Sequence, residues 1–208
     1  MRQKKFLVTG ALLLALAMLA GGLNLACAWL FPQDTTYEVP SYYTTYTDDA
    51  RLFSISYPYY WQTPMGEVAS VRQGIEKAAT TLKSGLPLES ASMMFFAGLD
   101  NARRYDPLIV VAVEPPAAGI STQKQLVVTE IERMQEDFNL ISRVDVTVSG
   151  KKATVLMWSN PALGDAHAIE MLLLTGHSVW LVVGATADTT SKWDVDFNTI
   201  VRSLQIYD

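Results

Sequence analysis

The run GDAHAIE places Asp165, His167 and Glu170 within six residues. An imidazole with neighbouring carboxylates is a donor set that can hold a metal or a small polar ligand. In an extended strand Asp165 and His167 share one face while Glu170 points to the other. The run therefore offers two ligands, and a neighbouring segment must supply a third. A partly buried strand histidine bonded to a backbone carbonyl fits the same residues. Asp165 and His167 are the candidate metal residues, and no cofactor is indicated.

Nucleophilic chemistry is poorly provided for. A triad needs Ser or Cys, a histidine base and a carboxylate that orients it. The second histidine, His177, falls at a hairpin tip, where turn residues are ordinarily just exposed. No G-x-S-x-G elbow is present, and no G-x-x-x-x-G-K follows a strand. Asp100, Arg103, Arg104 and Asp106 form a charged loop that suits anion or partner binding, or merely local ion pairs. No catalytic residue is assigned, and the chain is expected not to be an enzyme.

The only cysteine, Cys27, closes an apolar stretch from Phe6 to Phe31 in which Thr9 and Asn24 are the clearly polar residues. Arg2, Lys4 and Lys5 precede it, the arrangement that keeps the N-terminus in the cytoplasm and sends the remainder outward. Three outcomes fit. The stretch is long enough for an uncleaved single-pass anchor. Ala26-Cys27-Ala28 supplies a small-x-small pattern for cleavage after Ala28, giving a secreted protein. Alternatively Cys27 carries lipid: Ala26 suits a bacterial lipobox, although Asn24 occupies its aliphatic position. In each case the body lies outside the cytoplasm.

Of 208 residues, 16 are basic and 21 acidic. Without the three leader cations, 13 basic residues face those 21 acids, a balance near −8. Such a body has no electrostatic footprint for phosphate backbones, which argues against nucleic acid as a partner. One cysteine excludes an intramolecular disulfide and a two-thiolate metal site.

Three regions follow: 1–31 as signal or transmembrane segment, 32–50 as linker, and 51–208 as the globular domain. The Pro-, Thr- and Tyr-rich linker reads as an extended spacer, with Tyr37, Tyr42, Tyr43 and Tyr46 packing on the domain edge or the membrane interface. Phe53, Ile55 and Tyr57 alternate with serines, the period of a half-buried strand ended by Pro58. Val71, Ile75, Ala78 and Leu82 make a helical stripe over 67–83. SMMFFAGLD and PLIVVAVEPP read as strands, the second suited to an interior position. Ser121 or Thr122 caps a helix whose inner stripe is Val127, Ile131, Met134 and Phe138 and whose Glu130, Glu132, Arg133 and Glu136 form a solvated face. Two hairpins turn at Ser149-Gly150-Lys151 and Gly176-His177, and a last helix starting near Thr189 or Thr190 buries Trp193, Phe197, Ile200, Val201 and Leu204. Tight turns between neighbouring strands mean antiparallel pairing, so the class is α+β.

The stretches LFSISYPYYW, FFAGLDNARRYDPLIVVAVE and FNTIVRSLQI, with the two hairpins, resemble the PsbP-like family over about residues 51–206. The resemblance implies an antiparallel β-sheet sandwiched by helices, following the N-terminal membrane segment. It also implies a non-enzymatic accessory or exported protein, and many bacterial members are lipoproteins. The expected function is an extracytoplasmic, membrane-tethered interaction or accessory domain. Its partners would be the membrane, through the leader, and an envelope or protein component. The alternative is an exported metal- or small-ligand-binding protein that uses Asp165 and His167.

Overall fold

The computed structural model describes residues 38–50, 52–63, 92–101, 104–161, 166–188 and 191–207. All of them belong to the compact unit Thr36–Asp208. The expected membrane segment, Cys27, Asp165 and the 67–83 helix lie outside the described residues. No described helix is long and apolar enough to cross a membrane.

Nine strands and two α-helices make up the described part, and all strand pairing is antiparallel. A six-stranded sheet runs β3 (Ser92–Asn101), β4 (Arg104–Glu114), β8 (Ser178–Thr186), β7 (Ala166–Thr175), β6 (Lys151–Asn160), β5 (Asn139–Val148). A smaller sheet has the order β1 (Tyr43–Thr47), β2 (Phe53–Pro58), β9 (Gln205–Ile206). The α+β class follows directly.

The interior strands β4 and β8 are apolar on both faces, and each face has its own cover. Toward one side Leu108, Val110, Ala112, Val179, Leu181, Val183 and Ala185 join Leu126, Val127 and Met134 of α1 (Gln123–Met134) in one core. Ile131 and Phe138 pack against that core while remaining partly exposed. Thr122 caps α1 as a full capping box: its hydroxyl accepts from Gln125 N at 3.2 Å, and Gln125 Oε1 accepts from Thr122 N at 3.1 Å. Such a cap stabilises a helix by about 1 kcal/mol. The side-chain amide of Gln123 then stands in for a strand. It accepts from Leu174 N at 2.9 Å and donates to Leu172 O at 2.8 Å, where the β6–β7 pairing stops at Thr154 and Leu172.

The opposite face is covered by α2 (Asp194–Ser203), entered through a 3-10 turn at Ser191–Trp193, and by the small sheet. Phe53 of β2 meets Trp180 of β8 edge to face, with ring centroids 5.7 Å apart. Trp61 lies 6.4 Å from the ring of Trp193 and 6.4 Å from that of Phe197. Ser203 of α2 ties into β2, accepting from Ser56 N at 2.8 Å. All six residues of β2 are buried, so its serines are not the exposed half of an amphipathic strand. Their hydroxyls are matched instead, Ser54 to Tyr207 at 2.8 Å and Ser56 to Thr45 at 2.9 Å.

Within the segment 32–50, read as a spacer, Tyr43–Thr47 forms β1 and pairs with β2 from Tyr43↔Pro58 to Thr47↔Ser54. Tyr46 packs 4.7 Å from the ring of Phe95 and 5.8 Å from that of Phe53. Aromatic burial thus draws this segment into the domain.

Gly184 lets α2 approach the sheet. A Cβ at this position would stand 2.7 Å from Phe197 Cδ1 and 2.8 Å from Ile169 Cγ2. Neither ring nor branched chain can retreat in a packed core, and overpacking of this kind costs about 1–3 kcal/mol. Gly184→Ala is expected to lower the unfolding free energy measured in urea by that amount, and a variant as stable as the parent would show that α2 is free to shift.

Candidate functional site

His167 lies on β7 opposite Thr186 of β8 and Ser159 of β6, on the face covered by α2. Its Nδ1 is 3.9 Å from Asp194 Oδ1 at the start of α2, too long for a hydrogen bond. That nitrogen is shielded from solvent and has no hydrogen-bond partner. Burial raises the Asp194 carboxyl above its ordinary range, against the pull of His167. Among the described residues no three His, Cys, Asp or Glu side chains gather into a metal site. The structure gives His167 one acidic neighbour that the sequence did not suggest. His177 occupies the exposed β7–β8 turn. Of the residues expected in a charged loop, Asp100 lies in β3 and Arg104 and Asp106 in β4. Asp106 accepts from Thr186 Oγ1 at 2.8 Å and Ala187 N at 3.1 Å, so its carboxylate joins β4 to the end of β8.

Glu170 points to the other face, in a cross-strand row between Val183 and Leu156 beneath α1. It is fully buried. Trp158 Nε1 donates to its Oε2 at 3.3 Å, and its Oε1 receives no donor. Above it stand Glu130 and Arg133 of α1. Arg133 Nε donates to Glu130 Oε2 at 3.0 Å, and the second guanidinium nitrogen pairs with Glu130 Oε1. Glu130 and Arg133 therefore form an ion pair, open to solvent on the Arg133 side, over a buried acid. Burial first, and then the Glu130 carboxylate, push Glu170 well above the usual carboxyl range, while Arg133 and the Trp158 N–H act the other way. Two carboxylates cannot bond to each other. A protonated Glu170 has an O–H to offer, and a carboxylate has none.

A third feature is a surface of tyrosines. Tyr59 N donates to Tyr42 O at 3.0 Å, closing the end of the β1–β2 pair. Trp61, next in the chain after Tyr60, is buried and fixes the loop. Tyr42, Tyr59 and Tyr60 are left 42%, 68% and 42% exposed, with Val39 beside them in the chain at 37%. Tyr59 and Tyr60 meet edge to face at 5.8 Å, and Tyr42 packs at 5.0 Å on Tyr43. Tyr43 is the inward member. Its hydroxyl donates to Asp196 Oδ1 of α2 at 2.6 Å, and burial, then that bond, raise its phenol far beyond the range in which it ionises. Tyr60 is raised too, by burial and then by Asp196 and Tyr42, which places it in the same neighbourhood. The tandem rings of PYYW carried the signal: Tyr59 and Tyr60 occupy the turn after Pro58 ends β2, where no ladder draws them inward.

Because the folded-state value of Glu170 is raised, its contribution to stability is intact below the ordinary carboxyl range and is lost as pH climbs from there toward its folded value. Glu170→Gln keeps a donor for Glu130 and cannot ionise. We expect it to stabilise the domain by about 1–3 kcal/mol at pH 8 and to flatten the stability–pH curve. Urea unfolding of both proteins at pH 5 and pH 8 reads this, and parallel losses on alkalinisation would refute it.

No family model and no curated protein matches the chain. Among solved structures it is similar to a protein of Bacteroides thetaiotaomicron VPI-5482, at 11% identity and a TM-score of 0.38, covering 79% of this chain and 48% of that one. It is also similar to cyanobacterial PsbP (CyanoP) from Synechocystis sp. PCC 6803, at 15% identity and a TM-score of 0.48, covering 85% of this chain and 99% of that one. The latter is the type of domain that the sequence itself resembles.

Proposed function

We propose that this protein is an extracytoplasmic, membrane-tethered, non-enzymatic accessory domain that engages a component of the cell envelope. The observation that carries this reading is the tyrosine surface. Exposed aromatic rings with hydroxyl tips are suited to recognition, since they offer contact area at low entropic cost. Glu170 faces Glu130 under a helix, and His167 has the carboxylate of Asp194 3.9 Å from its Nδ1. Outward location is supported by the leader, with Arg2, Lys4 and Lys5 ahead of the apolar stretch Phe6–Phe31. The resemblance of the sequence to PsbP-like domains points the same way.

The alternative, a metal or small-ligand site at Asp165 and His167, draws on Asp194 as a further carboxylate near His167. Zinc titration that saturated at one ion per chain and was abolished by His167→Ala would favour it over the proposal.

Location is tested by C-terminal fusions in living bacteria. A phosphatase that folds only outside the cytoplasm should be active, and a fluorescent protein that matures only inside should stay dark. The reverse pattern would overturn the reading.

A further inference from the structure

The apolar stretch ends at Phe31, and the described chain begins at Glu38. At full extension the residues between them span roughly 25 Å. If the stretch sits in a bilayer, the start of the domain cannot stand further than that from the membrane surface. The tyrosine surface is built at this start: Val39 and Tyr42 belong to the first described residues, and the Tyr59–Tyr42 backbone bond brings Tyr59 and Tyr60 beside them.

Tyrosine has the chemistry of the membrane–water interface, an apolar ring with a hydroxyl that stays hydrated. The surface has no cation among its members, and Glu38 and Asp196 are close by in the chain or by contact. The body as a whole is acidic. Anionic headgroups would repel such a face, whereas zwitterionic ones would not.

We propose that Tyr42, Tyr59 and Tyr60 rest in the headgroup layer of the bilayer that holds the N-terminal segment, through contact with zwitterionic lipid. This rests on the tethered reading above and names what its aromatic surface meets. The contact fixes the orientation of the domain: the β1–β2 end lies against lipid, and the other end of β2 is held away from it. Tyr207 marks that other end. It is 49% exposed and its hydroxyl meets Ser54 Oγ at 2.8 Å, near the opposite terminus of β2.

The test uses the full chain, produced with 3-fluorotyrosine and placed in phosphatidylcholine nanodiscs. The fluorine resonances are assigned by single Tyr→Phe variants, and a fraction of the lipid then carries a headgroup spin label. Resonances of Tyr42, Tyr59 and Tyr60 should broaden at least threefold more than that of Tyr207. Equal broadening, in protein that co-elutes with the discs, would overturn the lipid contact while leaving the tether intact. Failure to co-elute would reject the tethered reading itself. Shifts of the three resonances that grow with the number of chains per disc, without spin label, would assign the surface to a second copy and also overturn the proposal.

Discussion

Strands β4 and β8 cannot meet water on either side. Leu108, Val110, Val183 and Ala185 face one way and Ile109, Val111 and Val182 the other, and all are buried. A sheet that is greasy on both faces needs two covers, whereas an ordinary antiparallel sheet needs one. Helix α1 provides the first. The second is composite: α2 is too short to shield six strands, so the small sheet β1-β2-β9 extends it. Phe53, Tyr46, Tyr57 and Trp61 are the pegs by which that sheet and its exit loop attach, through Phe95, Trp180, Trp193 and Phe197. The close approach at Gly184 is the point where this second cover is seated.

The same constraint explains the strangeness of Glu170. An acid in the middle of a doubly covered sheet loses hydration and gains only one N–H, from Trp158. Isolated burial of a charge costs far more than one hydrogen bond returns, so the group stays neutral or finds a partner. Both happen here. Burial and the nearby Glu130 carboxylate favour its neutral form, and Trp158 Nε1 donates to its Oε2.

How much of this was legible in the sequence varies with the physics that decides each element. β5 to β8 were readable because alternation and two turn signals, Ser149-Gly150 and Gly176-His177, are local. Both helices were placed by their apolar stripes, α1 with its Thr122 cap. Strand β1 was not readable: YTTYT has strand-forming residues but no apolar alternation, and it becomes a strand only by pairing with β2. Strand β9 has only two residues and depends on β2 in the same way. The Glu130–Arg133 pair looked like an ordinary solvated i,i+3 contact, since nothing in a helical pattern reveals what lies beneath it. The clue sat elsewhere, in Glu170 itself, an acid at a period-two position shared with Ala168, Leu172 and Leu174. His167 and Asp194 are far apart in the chain and meet only because α2 returns over β7.

Four neighbouring tyrosines show how the same side chain is sorted into two roles by geometry. Tyr43 turns inward because Asp196 offers it an acceptor, and a buried phenol without one would be costly. Tyr42, its neighbour in the turn before β1, stays exposed. Tyr59 and Tyr60 lie past Pro58, where the ladder has ended, and Trp61 takes the only inward position available. Packing therefore leaves three rings outside, and it leaves them together, because the β1–β2 register sets Tyr43 against Pro58 and so aligns the residues before the one with those after the other. An isolated exposed ring is unremarkable on any surface. Three gathered by register at the end where the chain arrives from an apolar segment are a consequence of the fold, and they give that end a chemistry that the acidic remainder lacks.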